Sequence, residues 1–148
     1  MQISINANRC EPSPMRKFHP LAVQAKKEGK KIYHLNIGQP DLPTPPAFYE
    51  AVHKFADRTL EYEASPGMPL MIDAVKKYYA QLNVDLEDND ILITTGGSEA
   101  LLFTCLSILD PYTEVIIPEP YYPNYTTFVH AAGGVIRALP TNPWDGYR

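Results

Sequence analysis

The sequence predicts an α/β chain built on an open, mainly parallel sheet covered by helices. From Ile91 onward, short apolar runs alternate with helical stretches in the order βαβαβ, the pattern of parallel strands joined by crossover helices. The 148 residues suffice for one domain with a real core. Glycine and proline are dispersed at the ends of these segments, where they act as turns, and form no low-complexity tract.

Residues 1–12 have few periodic apolar positions and read as an arm, partly disordered. Pro14–Gly29 carries Met15, Phe18, Leu21, Ala22 and Ala25 at helical spacing and ends on a glycine, which predicts a helix. Lys26, Lys27, Lys30 and Lys31 follow at its C-terminal end, where the helix dipole favours cations; a solvated helix end accounts for them. Ile32–Leu35 is a short strand, and Asn36–Pro46 a loop rich in Gly, Pro and Asp. Pro46–Ala56 is a helix with proline at its first position, where the missing N–H costs little. Tyr62–Gly67 is a loop, and Pro69–Leu82 a helix with Leu70, Ala74, Val75 and Tyr78 along one side.

The chain is organised around Ile91–Tyr125. Ile91, Leu92 and Ile93 read as a buried strand. Gly96 and Gly97 allow a sharp turn and a close backbone approach. Ser98 is a good N-cap, and Glu99 lies in the first turn, where the dipole favours a carboxylate. Ala100–Leu109 is apolar nearly all round, as in a helix buried on every side. A strand at Glu114–Ile117 follows, then the aromatic turn Pro120–Tyr125. Tyr122–Ala132 is a helix closed by Gly133-Gly134, and Val135–Leu139 is the next strand.

Backbone N–H groups of Gly97, Ser98 and Glu99, with the Ser98 hydroxyl, make an anion site suited to phosphate. A tyrosine after the next strand could cover a planar ring. Read locally, the same residues make an ordinary strand–turn–helix connection.

Composition narrows the function. A formal net charge of −4 gives no support to nucleic-acid binding. No apolar run approaches membrane-spanning length, and the N-terminus lacks the charged and apolar regions of a secretory signal. Cys10 and Cys105 make no disulfide framework, which favours a reducing cytoplasm, and Cys105 reads as packing. His19, His34, His53 and His130 have no ligand spacing, so no metal site is expected.

TTGGSEAL followed by PEPYYPNY resembles the fold-type-I aminotransferases of the aspartate aminotransferase kind, which use pyridoxal 5′-phosphate (PLP). LNIGQPDLPTP (Leu35–Pro45) and EYEASPG (Glu61–Gly67) extend the resemblance, in order, over about Pro12 to Arg148. The resemblance implies that Gly97, Ser98 and Glu99 hold the cofactor phosphate and that Tyr122 stacks on the ring, with Tyr121 its neighbour. It implies that Gly38 offers an N–H to the substrate carboxylate. It also implies that Tyr62 reaches the phosphate of the other subunit in a homodimer with shared sites. Read locally, NIGQPD is a strand exit and Tyr62 a packed loop aromatic. The family often has Arg where Ile72 stands, so that arginine's ion pair is absent here. The implied layout is an N-terminal arm, helix and active-site loop over 1–45, and an incomplete large PLP-binding domain over 46–148.

PLP chemistry needs a lysine for the Schiff base and an acid for the pyridinium nitrogen. In the family both lie further downstream. Lys54, Lys76 and Lys77 match neither in position, so no catalytic residue is expected within these residues. The chain thus resembles an N-terminal portion, expected to be inactive alone, to depend on self-association and to leave a sheet edge and an apolar helix uncovered. The implied reaction moves an amino group between an amino acid and a 2-oxo acid. Alternatives are a C–S lyase of the same fold and a non-catalytic regulatory paralogue. A nucleotide-binding α/β domain is disfavoured because neither GxGxxG nor GxxxxGK[ST] occurs.

Overall fold

The computed structural model describes residues 2–11, 13–56 and 59–148. In chain order it has α1 (Ile5–Arg9), α2 (His19–Lys27), α3 (Pro46–Lys54), α4 (Pro69–Ala80), α5 (Gly97–Ile108), β1 (Glu114–Pro118), α6 (Asn124–Ala131) and β2 (Val135–Leu139). Single 3-10 turns lie at Asp88–Asp90 and Pro143–Asp145. Two compact units divide the chain: Met1–Val23 with Ile93–Arg148, and Gln24–Leu92.

In the unit formed by the two chain ends, β1 and β2 pair in parallel, Glu114 opposite Val135 and Ile116 opposite Arg137. Helix α6 makes the crossover between them, and both α1 and α5 pack against it. Its end is set by glycine. Gly133 adopts φ +89°, its N–H donates to His130 O at 3.0 Å, and Gly134 N–H donates to Val129 O at 2.9 Å. These two bonds form a Schellman motif, which satisfies carbonyls the helix leaves open. Val129 is buried beneath this corner.

The N-terminal arm carries a short helix, α1, that apolar periodicity did not predict; Met1 and Pro12 of that stretch lie outside the described residues. Ser4 caps α1 by accepting from Ala7 N–H at 3.1 Å, and α1 then docks on α6. The docking is made by polar side chains on main-chain carbonyls, so apolar periodicity does not reveal it.

In the unit Gln24–Leu92, α3 and α4 both start with proline in the first turn. Ile72 and Ile91 are buried. The first long helix begins at His19, later than the predicted Pro14, with residues 14–18 in turns. Pro20 explains the shift: it lacks an N–H and is tolerated only in a first turn.

Four further expectations are corrected. Ile91 is extended, at φ −122° and ψ 128°, but neither Ile91–Ile93 nor Ile32–Leu35 belongs to a strand. A strand requires a ladder partner, and among the described residues the sheet has only β1 and β2. The helix after Tyr122 starts two residues later than predicted, at Asn124 behind Pro123. Helix α5 is not buried on all sides: Leu101, Phe103, Leu106 and Ile108 are 39–68% exposed. Among the described residues α6 is the element that packs broadly on it, and one neighbour cannot cover a helix that is apolar all round.

Candidate functional site

The turn before α5 is built from its own side chains. Gly96, at φ 97° and ψ 172°, occupies backbone space that L residues rarely adopt. It, and not Ser98, is the N-cap; Gly97, Ser98 and Glu99 form the first turn of the helix. Thr94 Oγ1 donates to Gly96 O at 3.0 Å. The Glu99 carboxylate reaches back to accept from Thr95 N–H at 2.6 Å, a charge-assisted bond at the positive end of the helix dipole.

This geometry changes the donor set. The Glu99 amide donates to Gly96 O at 3.2 Å, so it is already used by the turn. The amides of Gly97 and Ser98 and the Ser98 hydroxyl have no partner among the described residues. A Cβ built on Gly96 or Gly97 meets no atom within 4 Å, which makes the turn an open cradle. Unpaired N–H groups at the head of a twelve-residue helix fit a phosphate dianion. The donor set therefore fits PLP at its phosphate end.

The aromatic turn separates the roles of its tyrosines. Tyr121 stacks on Tyr125 with centroids 6.4 Å apart and planes 11° apart, and its hydroxyl is 3.3 Å from Thr126 Oγ1. One face of Tyr121 is thus occupied. Tyr122 meets Tyr125 edge-on at 5.7 Å and 88°, accepts from Asn124 Nδ2 at 2.9 Å, and is 47% exposed. Of the two, Tyr122 is the exposed ring and the one not stacked on Tyr125. Sequence reasoning missed Asn124 and Tyr125 as its orienting partners; the signal was their place two and three residues after Tyr122.

The other two candidates lie in the unit Gln24–Leu92. Tyr62 is fully exposed. Gly38 is exposed in a loop, with no atom within 4 Å of a Cβ built on it. Lys76 is engaged with Asp88 at 2.6 Å, and Lys54 lies 4.0 Å from Glu50. Among the described residues no cluster of His, Cys, Asp and Glu could hold a metal, and no helix is long and apolar enough to cross a membrane.

Residues 30–148 match the family model "Aminotransferase class I and II". The chain is 34% identical over 134 residues to a probable aspartate/prephenate aminotransferase of Rickettsia felis, covering 89% of this chain and 33% of that protein. It is 29% identical over 147 residues to the aspartate/prephenate aminotransferase of Thermus thermophilus, covering 98% of this chain and 38% of the relative. Among solved structures it resembles a double mutant of Thermus thermophilus aspartate aminotransferase, with TM-score 0.92 and 28% identity over 99% of this chain and 39% of the other. It also resembles the aspartate aminotransferase of Rhizobium meliloti, with TM-score 0.87 and 28% identity over 100% of this chain and 38% of that one. The chain spans little more than a third of the length of these relatives. A glycine turn that opens two helix amides, an exposed tyrosine after the following strand and a family match over four fifths of the residues agree, and the chain belongs to the class I and II aminotransferases.

Proposed function

We propose that these residues supply the phosphate cradle and ring plate of an aminotransferase that uses PLP to move an amino group from an amino acid to a 2-oxo acid. The observation that carries this reading is the set of unpartnered donors at Gly97 and Ser98, in a turn no side chain obstructs. Bound there, PLP supplies the electron sink that the reaction requires. The Gly97 and Ser98 amides and the Ser98 hydroxyl hold the phosphate. The Glu99 carboxylate keeps the turn in shape through Thr95. Tyr122 lies against the ring and excludes water from one face. Gly38 offers its N–H to a substrate carboxylate, and Tyr62 serves the partner subunit of a homodimer. The layout proposed is the arm, helix and active-site loop over 1–45 and part of the large cofactor domain over 46–148. Two unpaired cysteines support a reducing cytoplasmic location. The names of the relatives support the amino-acid and 2-oxo-acid substrate class.

Equilibrium titration of the chain with PLP, followed by quenching of tyrosine fluorescence, tests the reading. Ser98→Ala is expected to weaken binding about tenfold, the worth of one hydrogen bond to a charged group. Tyr122→Ala is expected to weaken it about threefold to tenfold through lost stacking. Pyridoxal, which lacks the phosphate, should compete poorly. Binding that neither substitution affects, or no saturable binding, refutes the proposal.

A further inference from the structure

Helix α6 has eight residues, about two turns, too short to hold its own conformation without tertiary contacts. Its two ends are held by different groups. At the N-terminal end, Asn124 and Tyr125 in its first turn contact Tyr122 through the 2.9 Å hydrogen bond and the edge-on ring contact. At the C-terminal end α1, more than a hundred residues earlier in the chain, adds side-chain bonds to a corner where Tyr112 N–H also donates to Gly133 O at 3.0 Å. Arg9 Nη2 donates to Gly134 O at 2.8 Å and Nη1 to Gly133 O at 3.5 Å. Asn6 Nδ2 donates to Ala131 O at 3.3 Å. The Cys10 thiol lies 3.7 Å from Thr127 O. In return His130 Nδ1 donates to Arg9 O at 3.0 Å.

The guanidinium thus caps carbonyls beyond the helix end and places a positive charge at the negative end of the dipole. We propose that α1 is a latch, with Arg9 a positioning residue whose hold on the Gly133 and Gly134 carbonyls sets the placement of Tyr122 through α6. The lever is short and stiff. Over a helix of roughly 12 Å, a tilt of about 10° at the held end moves the other end by about 2 Å. A displacement of that size takes a stacking ring out of contact. The functional consequence rests on the reading of Tyr122 as the cofactor plate; the mechanical one does not.

The test uses the full chain labelled with 3-fluorotyrosine, the Tyr122 resonance being identified by Tyr122→Phe. In Arg9→Ala the 19F signals of Tyr122 and Tyr125 are expected to shift or broaden, while those of Tyr78 and Tyr79 in α4 stay in place. Amide exchange in α6 should rise at least about tenfold, and PLP should bind several-fold more weakly. Arg9→Lys keeps the charge but not the paired donors and should recover part of each effect. Should Arg9→Ala fail to fold, Asn6→Ala removes one contact, keeps the charge and is expected to move the same two signals. Unchanged Tyr122 signals and unchanged α6 exchange in the folded variant overturn the latch. A shifted Tyr122 signal together with PLP affinity that is insensitive to Tyr122→Ala upholds the latch and overturns the cofactor role of Tyr122 instead.

Discussion

Gly134→Ala tests whether the corner that ends α6 is closed by space as well as by backbone conformation. A Cβ at Gly134 would lie 2.9 Å from Val129 Cγ1, 3.1 Å from Leu109 Cδ1 and 3.3 Å from Thr113 O. Two of these neighbours cannot yield cheaply. Val129 is 3% exposed, and a β-branched side chain in a helix has essentially one rotamer. Thr113 O accepts from Val135 N–H at 2.9 Å at the start of β2. Overpacking of this kind costs about 1–3 kcal/mol. The stiffer unfolded chain returns about 0.4–1 kcal/mol, leaving a net loss of about 1–2 kcal/mol. At a urea m-value near 1.5 kcal/mol per M, the midpoint should fall by about 1 M, read by circular dichroism. Val129→Ala removes the atom in closest conflict, so Gly134→Ala should cost at least about 0.5 kcal/mol less in that background. A Gly134→Ala midpoint at or above wild type, or costs that simply add, refutes the packing account.

Gly96→Ala places a side chain where nothing obstructs it but where φ is 97°, so its cost, about 1–3 kcal/mol, is backbone strain alone; the urea midpoint should fall, and an unchanged midpoint together with unchanged PLP affinity sinks the idea of a glycine-specific turn. Glu114 is held below its ordinary value of 4.5 by the hydrogen bond and charge of Arg137. Its contribution is therefore complete above pH 4.5 and is lost as pH falls through the lower folded value. Both groups are exposed, so the effect should be small and should vanish in 1 M salt; Glu114→Gln that leaves the acid limb of the stability profile unchanged at low salt contradicts this. Burial pushes the Cys105 thiol above its ordinary value of 9.0, so alkylation followed by peptide mass spectrometry should show a pH midpoint above 9, and a midpoint below it counts against the packing role. Tyr62→Phe should change the urea midpoint by less than about 0.5 kcal/mol equivalent, since Tyr62 is fully exposed; a larger loss means Tyr62 packs within its own chain.

Features set by local backbone chemistry were legible in the sequence. Gly133-Gly134 had to end a helix because one residue there takes positive φ, and Pro46 and Pro69 had to begin helices because proline lacks the N–H that an interior position uses. The span of β2 follows from a β-branched run after that glycine pair. The tight turn before α5 was legible for the same reason, since two glycines, a serine and a glutamate constrain the backbone by themselves. Only the folded structure decided which groups are paired with which, near or far along the chain. Whether Ile91–Ile93 becomes a strand depends on a neighbour supplying the ladder. The Glu99 amide, expected as a phosphate donor, is taken by Gly96 O, and which residue serves as N-cap follows from φ at Gly96. Tyr121 and Tyr122 are chemically identical, and the structure shows Tyr121 stacked on Tyr125 while Tyr122 meets Tyr125 edge-on. The docking of α1 could not be read at all, because Arg9 recognises main-chain carbonyls more than a hundred residues away, and every residue type carries the same carbonyl.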